Sequence, residues 1–118
     1  MKSQQKGFDV VFFKNANGNQ PVREFIQGLE RNKQKELGAD IRVIQNSFPV
    51  GLPLVKKLKS ELWEIRSITK DGVIRVFFTF LNEKIILLHA FTKKSQKTPL
   101  QEIDTAIKRL KEFRKLQQ

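Results

Sequence analysis

Hydrophobic and polar positions follow two different periods along the chain, and the switches between them mark its elements. A short β-rich run, Phe8 to Phe13, ends in the turn-forming stretch Asn15-Ala16-Asn17-Gly18-Asn19 and reads as a strand. Pro21 suits the first turn of a helix, and Val22, Phe25, Ile26 and Leu29 follow at the i, i+3, i+4, i+7 spacing of a buried stripe. Leu37, Ile41, Ile44 and Phe48 predict a second helix, weakened by Gly38 within it and ended by Pro49-Val50-Gly51-Leu52-Pro53. A period of two then takes over in Leu62 to Thr69, Val73 to Leu81 and Lys84 to Phe91. Asp71-Gly72, a strong hairpin signal, and Asn82-Glu83, a weaker one, separate these runs, so a contiguous antiparallel meander is expected. After a loop from Thr92 to Lys97, Thr98-Pro99-Leu100-Gln101 has the form of a capping box with proline at the first helical position. It opens a helix whose Leu100, Ile103, Ile107, Leu110 and Phe113 face inward. The order β-α-α-β-β-β-α predicts an α+β fold, a mostly antiparallel sheet with two N-terminal helices and a C-terminal helix packed against it.

Composition narrows the partners more than the fold. At 118 residues the chain has the length of one domain, residues 1–118, and its ten Phe help to fill one core. There is no internal repeat and no linker composition to divide it. Lys and Arg outnumber Asp and Glu by 23 to 12, for a net charge of +11, so a polyanion is the default partner. Residues 1–53 carry eight basic against five acidic side chains and residues 54–118 fifteen against seven, which places any anion site in the second half. The absence of cysteine removes disulfides, thiolate metal sites and cysteine nucleophiles. His89, the one histidine, has no ligand partner at metal-binding spacing, so chemistry without metal or cofactor is expected. The start MKSQQKGFDVV holds no apolar signal core and no long apolar run follows, so a soluble cytoplasmic protein is expected.

Strand alternation sorts the charges by face. Ile74, Val76, Phe78 and Phe80 fall on one side, the core side, and Arg75, Phe77 and Thr79 on the other. With Asp71 and Gly72 as central turn residues, Arg75 faces Ile68 and Arg66 faces Phe77, so the two arginines emerge as diagonal neighbours on one face. A phosphate between the guanidinium forks would offset their repulsion; the alternative is that each covers Phe77 and pairs with Glu64. Lys56-Lys57-Leu58-Lys59 leads into the Arg66 strand, and Lys93-Lys94-Ser95-Gln96-Lys97 leaves the third strand, so both runs would border the same surface. The terminal helix adds Lys108, Arg109, Lys111, Arg114 and Lys115 on its solvated side, suited to steering. A two-residue turn at Asn82-Glu83 would pair His89 with Val76 on the apolar side, a hydrogen-bonded core histidine, whereas a one-residue change of register would expose it as a general base. Trp63 and Phe91 read as core, with Phe91 also placed to stack on a base.

Leu62-Trp63-Glu64-Ile65-Arg66, a glycine turn, Ile74-Arg75-Val76-Phe77-Phe78 and Leu87-Leu88-His89-Ala90-Phe91-Thr92-Lys93-Lys94-Ser95-Gln96-Lys97-Thr98-Pro99 resemble the HigB-like, phage-associated branch of the RelE/ParE toxin superfamily. The resemblance is strong across residues 56–110 and is one of element order alone in the N-terminal part. It implies the toxin of a type II toxin-antitoxin pair, an endoribonuclease that enters the ribosomal A site and cuts translated mRNA through the RNA's own 2′-hydroxyl. Its implied partners are mRNA, the ribosome and a DNA-binding antitoxin, with no cofactor and no membrane. By position, Arg66 matches the family arginine at the end of its central strand, with Arg75 supporting it or holding a neighbouring phosphate. Lys57 and Lys59 fall near the family's basic pair before that strand, and Lys94 sits at the basic position of the loop. Lys56, Lys93, Lys97 and Phe91 would line the RNA path. The chain has no Tyr, so the tyrosine that relatives use to orient or protonate RNA is missing, and its acid and base are left open.

Three other readings fit parts of the pattern. A ParE-like gyrase inhibitor shares the fold and not the target. A non-catalytic RNA- or ribosome-binding module needs the same basic, aromatic sheet surface. Membrane association through the last helix conflicts with the use of its apolar stripe by the core.

Overall fold

A computed structural model of the chain describes residues 7–93 and 99–116. The expected turn signals set most of its boundaries. Strand β1 (Asp9–Phe12) is followed by helices α1 (Pro21–Gln27) and α2 (Arg31–Ser47), then by strands β2 (Val55–Lys59), β3 (Leu62–Thr69), β4 (Gly72–Leu81) and β5 (Lys84–Lys93), and by helix α3 (Leu100–Leu116). Pro21 stands at the start of α1 as its fixed φ favours. Pro99 directly precedes α3, whereas Thr98 of the expected capping box lies outside the described residues.

The order is thus β-α-α-β-β-β-β-α, one strand more than expected. Lys56-Lys57-Leu58-Lys59 does not merely lead into a strand; from Val55 it is one, at the end of a five-stranded sheet ordered β1-β5-β4-β3-β2. Lysines suit an edge strand because solvated charges there discourage pairing with a further chain. β2 to β5 form the antiparallel meander, and β1 joins β5 in parallel.

Two packed layers flank the sheet. On one face Ile65, Ile74, Val76, Phe78, Ile85 and Leu87 meet Val22 of α1 and Leu37 and Ile44 of α2, with Phe48 set edge-on to Trp63. On the other, Phe13, Leu62, Phe77, Ile86 and Leu88 meet Ala106 and Leu110 of α3. The face expected to carry the charges therefore has a core of its own, and Phe77 and Thr79 are fully buried in it. Among the described residues no helix is long and apolar enough to cross a membrane.

Two register details differ from expectation and decide what the second face presents. Thr69 pairs with Gly72, so Lys70 and Asp71 form the turn centre. Gly72, at φ 141°, takes the first position of β4, in a region that glycine enters without steric cost. The Thr69 hydroxyl donates to the Gly72 carbonyl and accepts from the Asp71 N–H, which fixes that turn. Asn82 and Glu83 do form a two-residue turn, both at positive φ, as the primed hairpin turns require. The pairing then slips: Phe78 pairs with Leu87 but Phe77 pairs with His89, leaving Leu88 as the extra residue of a β-bulge. His89 consequently sits opposite Phe77 on the α3 side, not opposite Val76 on the α1/α2 side.

Candidate nucleic-acid interface

Cross-strand partners share a face of the sheet, so the register specifies the rows on the α3 side. One row runs Lys56, Glu64, Phe77, His89 across β2 to β5; the next runs Arg66, Arg75, Phe91; the third runs Ile68, Val73, Lys93. Helix α3 covers the part of this face beyond the first row, where Leu62, Ile86 and Leu88 lie. Around the remainder stand exposed Lys56 and half-buried Arg66, Phe91 and Lys93.

The two arginines are direct cross-strand partners, closer than the diagonal pair expected from sequence, because the turn centre lies one residue earlier. Their environments differ sharply. Arg75 is 1% exposed and donates from Nη1 to Glu64 Oε2 at 2.8 Å, with Glu64 itself fully buried. Its charge is matched within the sheet, so Arg75 does not present an open fork at the surface. Arg66 is only half-buried and lines a surface hollow of about 280 Å³ together with Asp40, Pro53, Leu54 and Ile68. The buried ion pair thus lies beside Arg66 in the sheet, with Arg75 opposite it on β4 and Glu64 two residues before it on β3. Lys56, Arg66, Arg75 and Lys93 against Glu64 and the neighbouring Asp40 leave two positive charges around this patch.

The other sequence candidates divide. Lys57 alternates away from Lys56, pairs with Trp63 and lies 5.6 Å over its indole ring, on the α1/α2 side. It is not gathered with Arg66, contrary to the expectation that it joins Lys59 there. Lys59 is exposed beyond an irregularity in the β2–β3 register, opposite Leu62. Phe91 stands beside Arg75, not opposite Ile74 as an unbroken β4–β5 register would set it, because the bulge at Leu88 turns it to the α3 side, where it lies edge-on to Phe77 at 5.4 Å. Lys93 ends β5, and Lys94 and Lys97 lie outside the described residues.

A polar cluster joins α3 to the same face. His89 Nε2 is 2.5 Å from Glu102 Oε1, and its Nδ1 is 3.1 Å from Arg109 Nη1, which also donates to the Leu88 carbonyl at 3.0 Å. Burial lowers the Arg109 guanidinium below its ordinary pKa, with Glu112 opposing the shift. Glu102 did not stand out in the sequence, and Arg109, expected on the solvated side of the last helix for steering, is instead half-buried and bonded to β5. Arg109 directly precedes buried Leu110 and follows buried Ala106 by three positions, so it borders the inward stripe of α3, and that spacing was the available signal. Among the described residues no group of three or more His, Asp or Glu side chains is arranged to hold a metal ion.

The architecture has a counterpart among solved structures. The structure of an arginine double mutant of the E. coli toxin RelE in the free state matches it with a TM-score of 0.60 at 12% identity, over 87% of this chain and 97% of that one. This establishes a RelE-like fold. A model of the family described as phage derived protein Gp49-like matches residues 24–111, and the chain belongs to that family. No sequence among curated proteins matches the chain.

Proposed function

We propose that this protein is the toxin of a type II toxin-antitoxin pair, HigB-like in kind, and that it acts as a metal-independent endoribonuclease on translated mRNA in the ribosomal A site. A cognate antitoxin would neutralise it. The observation that carries the reading is an accessible Arg66 beside the charge-matched Arg75–Glu64 pair, bordered by Lys56 and Lys93. Neighbouring strands are about 4.8 Å apart and alternate residues about 7 Å, so the Arg66 and Lys93 backbones stand about 12 Å apart. Extended Arg and Lys side chains reach across that span toward one phosphodiester.

The chemistry suited to such a patch is in-line transesterification. The 2′-oxygen bonds to phosphorus as its proton leaves, the P–O5′ bond breaks, and the products are a 2′,3′-cyclic phosphate and a 5′-hydroxyl that regains a proton. Negative charge accumulates on the non-bridging oxygens in the transition state, where a guanidinium gives its greatest stabilisation. Arg66 is assigned to that charge and Arg75 to holding Arg66 in place. Lys94 and Lys59 are assigned to the surrounding RNA and to proton transfer, with Lys56 taking the site-facing place first given to Lys57.

Induced expression followed by mapping of RNA 5′ ends tests the reading. Cuts are expected within translated messages, and they should vanish when the start codon is removed. Arg66→Ala should lower cutting at least ~100-fold, the scale of losing one preorganised transition-state donor, with an unchanged circular dichroism spectrum. Unchanged transcripts overturn the nuclease assignment. DNA breaks trapped with gyrase would replace it with the ParE-like reading, and ribosome binding without cuts would leave a binding module.

A further inference from the structure

We infer that His89 is a positioning residue: Arg109 and Glu102 pin its ring, and the pinned ring holds Phe91 as the shelf on which a nucleobase stacks beside Arg66. The inference rests on the RNA reading above and deepens it.

Hydrogen-bond polarity fixes the state of the imidazole. A guanidinium only donates, so Arg109 Nη1, 3.1 Å away, makes Nδ1 the acceptor. The ring hydrogen then sits on Nε2 and points at Glu102 Oε1, 2.5 Å away. Both nitrogens are committed in opposite senses, and rotating the ring would break both contacts. Arg109 is itself anchored by the Leu88 carbonyl, the acceptor at the bulge, and by the Phe13 ring 5.9 Å from its guanidinium carbon.

The pinned imidazole sets the plane of Phe91. The two rings stack at 5.6 Å with 28° between planes, and Phe77 closes the corner edge-on to Phe91 at 5.4 Å and 80°. Phe91 pairs across the sheet with Arg75, and Arg75 with Arg66. The shelf is therefore two strands, about 10 Å, from the arginine assigned to the scissile phosphate, the reach of a single nucleotide. Phe91 keeps part of its surface accessible, and an aromatic face accepts any base. His89 on this account moves no proton in the reaction.

The test uses the full chain and ribosomes programmed with a short mRNA carrying 2-aminopurine beside the cleavage position in the A site, with a 2′-deoxy sugar at that position to block cutting. His89→Gln keeps one acceptor and one donor but removes the ring; Phe91→Leu keeps an apolar side chain but removes the π face. Both should weaken RNA binding about tenfold, the scale of one base-stacking contact, and should abolish the fluorescence quenching seen with the unmodified protein. With cleavable RNA, KM should rise while kcat and both limbs of its pH profile persist. Quenching that survives in either variant overturns the inference, as does loss of one limb in His89→Gln, which would make His89 an acid or base. If His89→Gln fails to fold, Glu102→Gln, which loosens the pinned ring, is read beside Phe91→Leu by the same measurements, and unchanged quenching in Glu102→Gln overturns the inference. An unmodified protein that neither binds nor cuts the RNA on these ribosomes would instead bring down the functional reading and this inference with it.

Discussion

Arg75 carries its charge at 1% exposure, and only a matched carboxylate makes that tolerable. Glu64, fully buried 2.8 Å away, is that carboxylate. Removing one partner breaks a buried ion pair, so Glu64→Gln or Arg75→Met alone should each cost about 3–5 kcal/mol in denaturant unfolding. The double variant Glu64→Leu/Arg75→Met should recover most of that loss, because it removes both charges of the pair together. A double variant as unstable as the sum of the singles would show that the pair is not the coupled unit described. Alternation alone placed Glu64, Arg66 and Arg75 on one face. Which arginine is buried was not legible, because it depends on the turn centre. Moving that centre from Asp71-Gly72 to Lys70-Asp71 sets Arg75 opposite Arg66, one diagonal step from Glu64.

Helix and strand boundaries were legible where a local residue enforces them: Pro21 at α1, the prolines after α2, Asn82-Glu83 between β4 and β5. The bulge at Leu88 was not, because its carbonyl is satisfied by Arg109, 21 residues away on α3. Strand β2 was hidden by its lysines, which mark an edge only once the sheet order is known. Gly38 lowers the helical signal of α2, yet the helix runs through it, and a Cβ there would meet nothing within 4 Å. Gly38→Ala should therefore stabilise the protein by about 0.5–1 kcal/mol, read as a higher denaturant midpoint at unchanged slope. At the opening of α2, Lys33 donates to Asp71 Oδ2 at 2.9 Å and ties the helix to the β3–β4 turn. That hydrogen bond raises the Lys33 pKa above its ordinary 10.5, so the charged form is favoured by folding. The associated stability is complete below 10.5 and is lost as pH rises through the higher folded-state value. The stability gap between the unmodified protein and Lys33→Met should accordingly be constant around neutrality and shrink above pH 10.5. A gap that widens with alkalinity would contradict the sign of this linkage.

Across the whole molecule, the net charge of +11 acts at two ranges. The patch around Arg66 acts at contact, whereas exposed Lys108, Lys111 and Lys115 form a stripe on α3 that touches none of its rows. Charges of the second kind raise the local concentration of a polyanion and thus the rate of encounter, and they fade with a screening length of about 8 Å at physiological ionic strength. Reversing all three to Glu takes the net charge from +11 to +5, a loss of two charges per position. The association rate with RNA or ribosomes should fall about tenfold at low salt, and the deficit should close as salt rises. Single-turnover cutting of RNA already bound should not change, since none of the three lies on the reacting face. Arg66→Ala should show the reverse pattern, with nearly normal association and a loss of cutting that salt does not restore. If the α3 reversals instead speed dissociation at high salt, the stripe contacts RNA directly, and the interface extends from the sheet onto the helix that covers it.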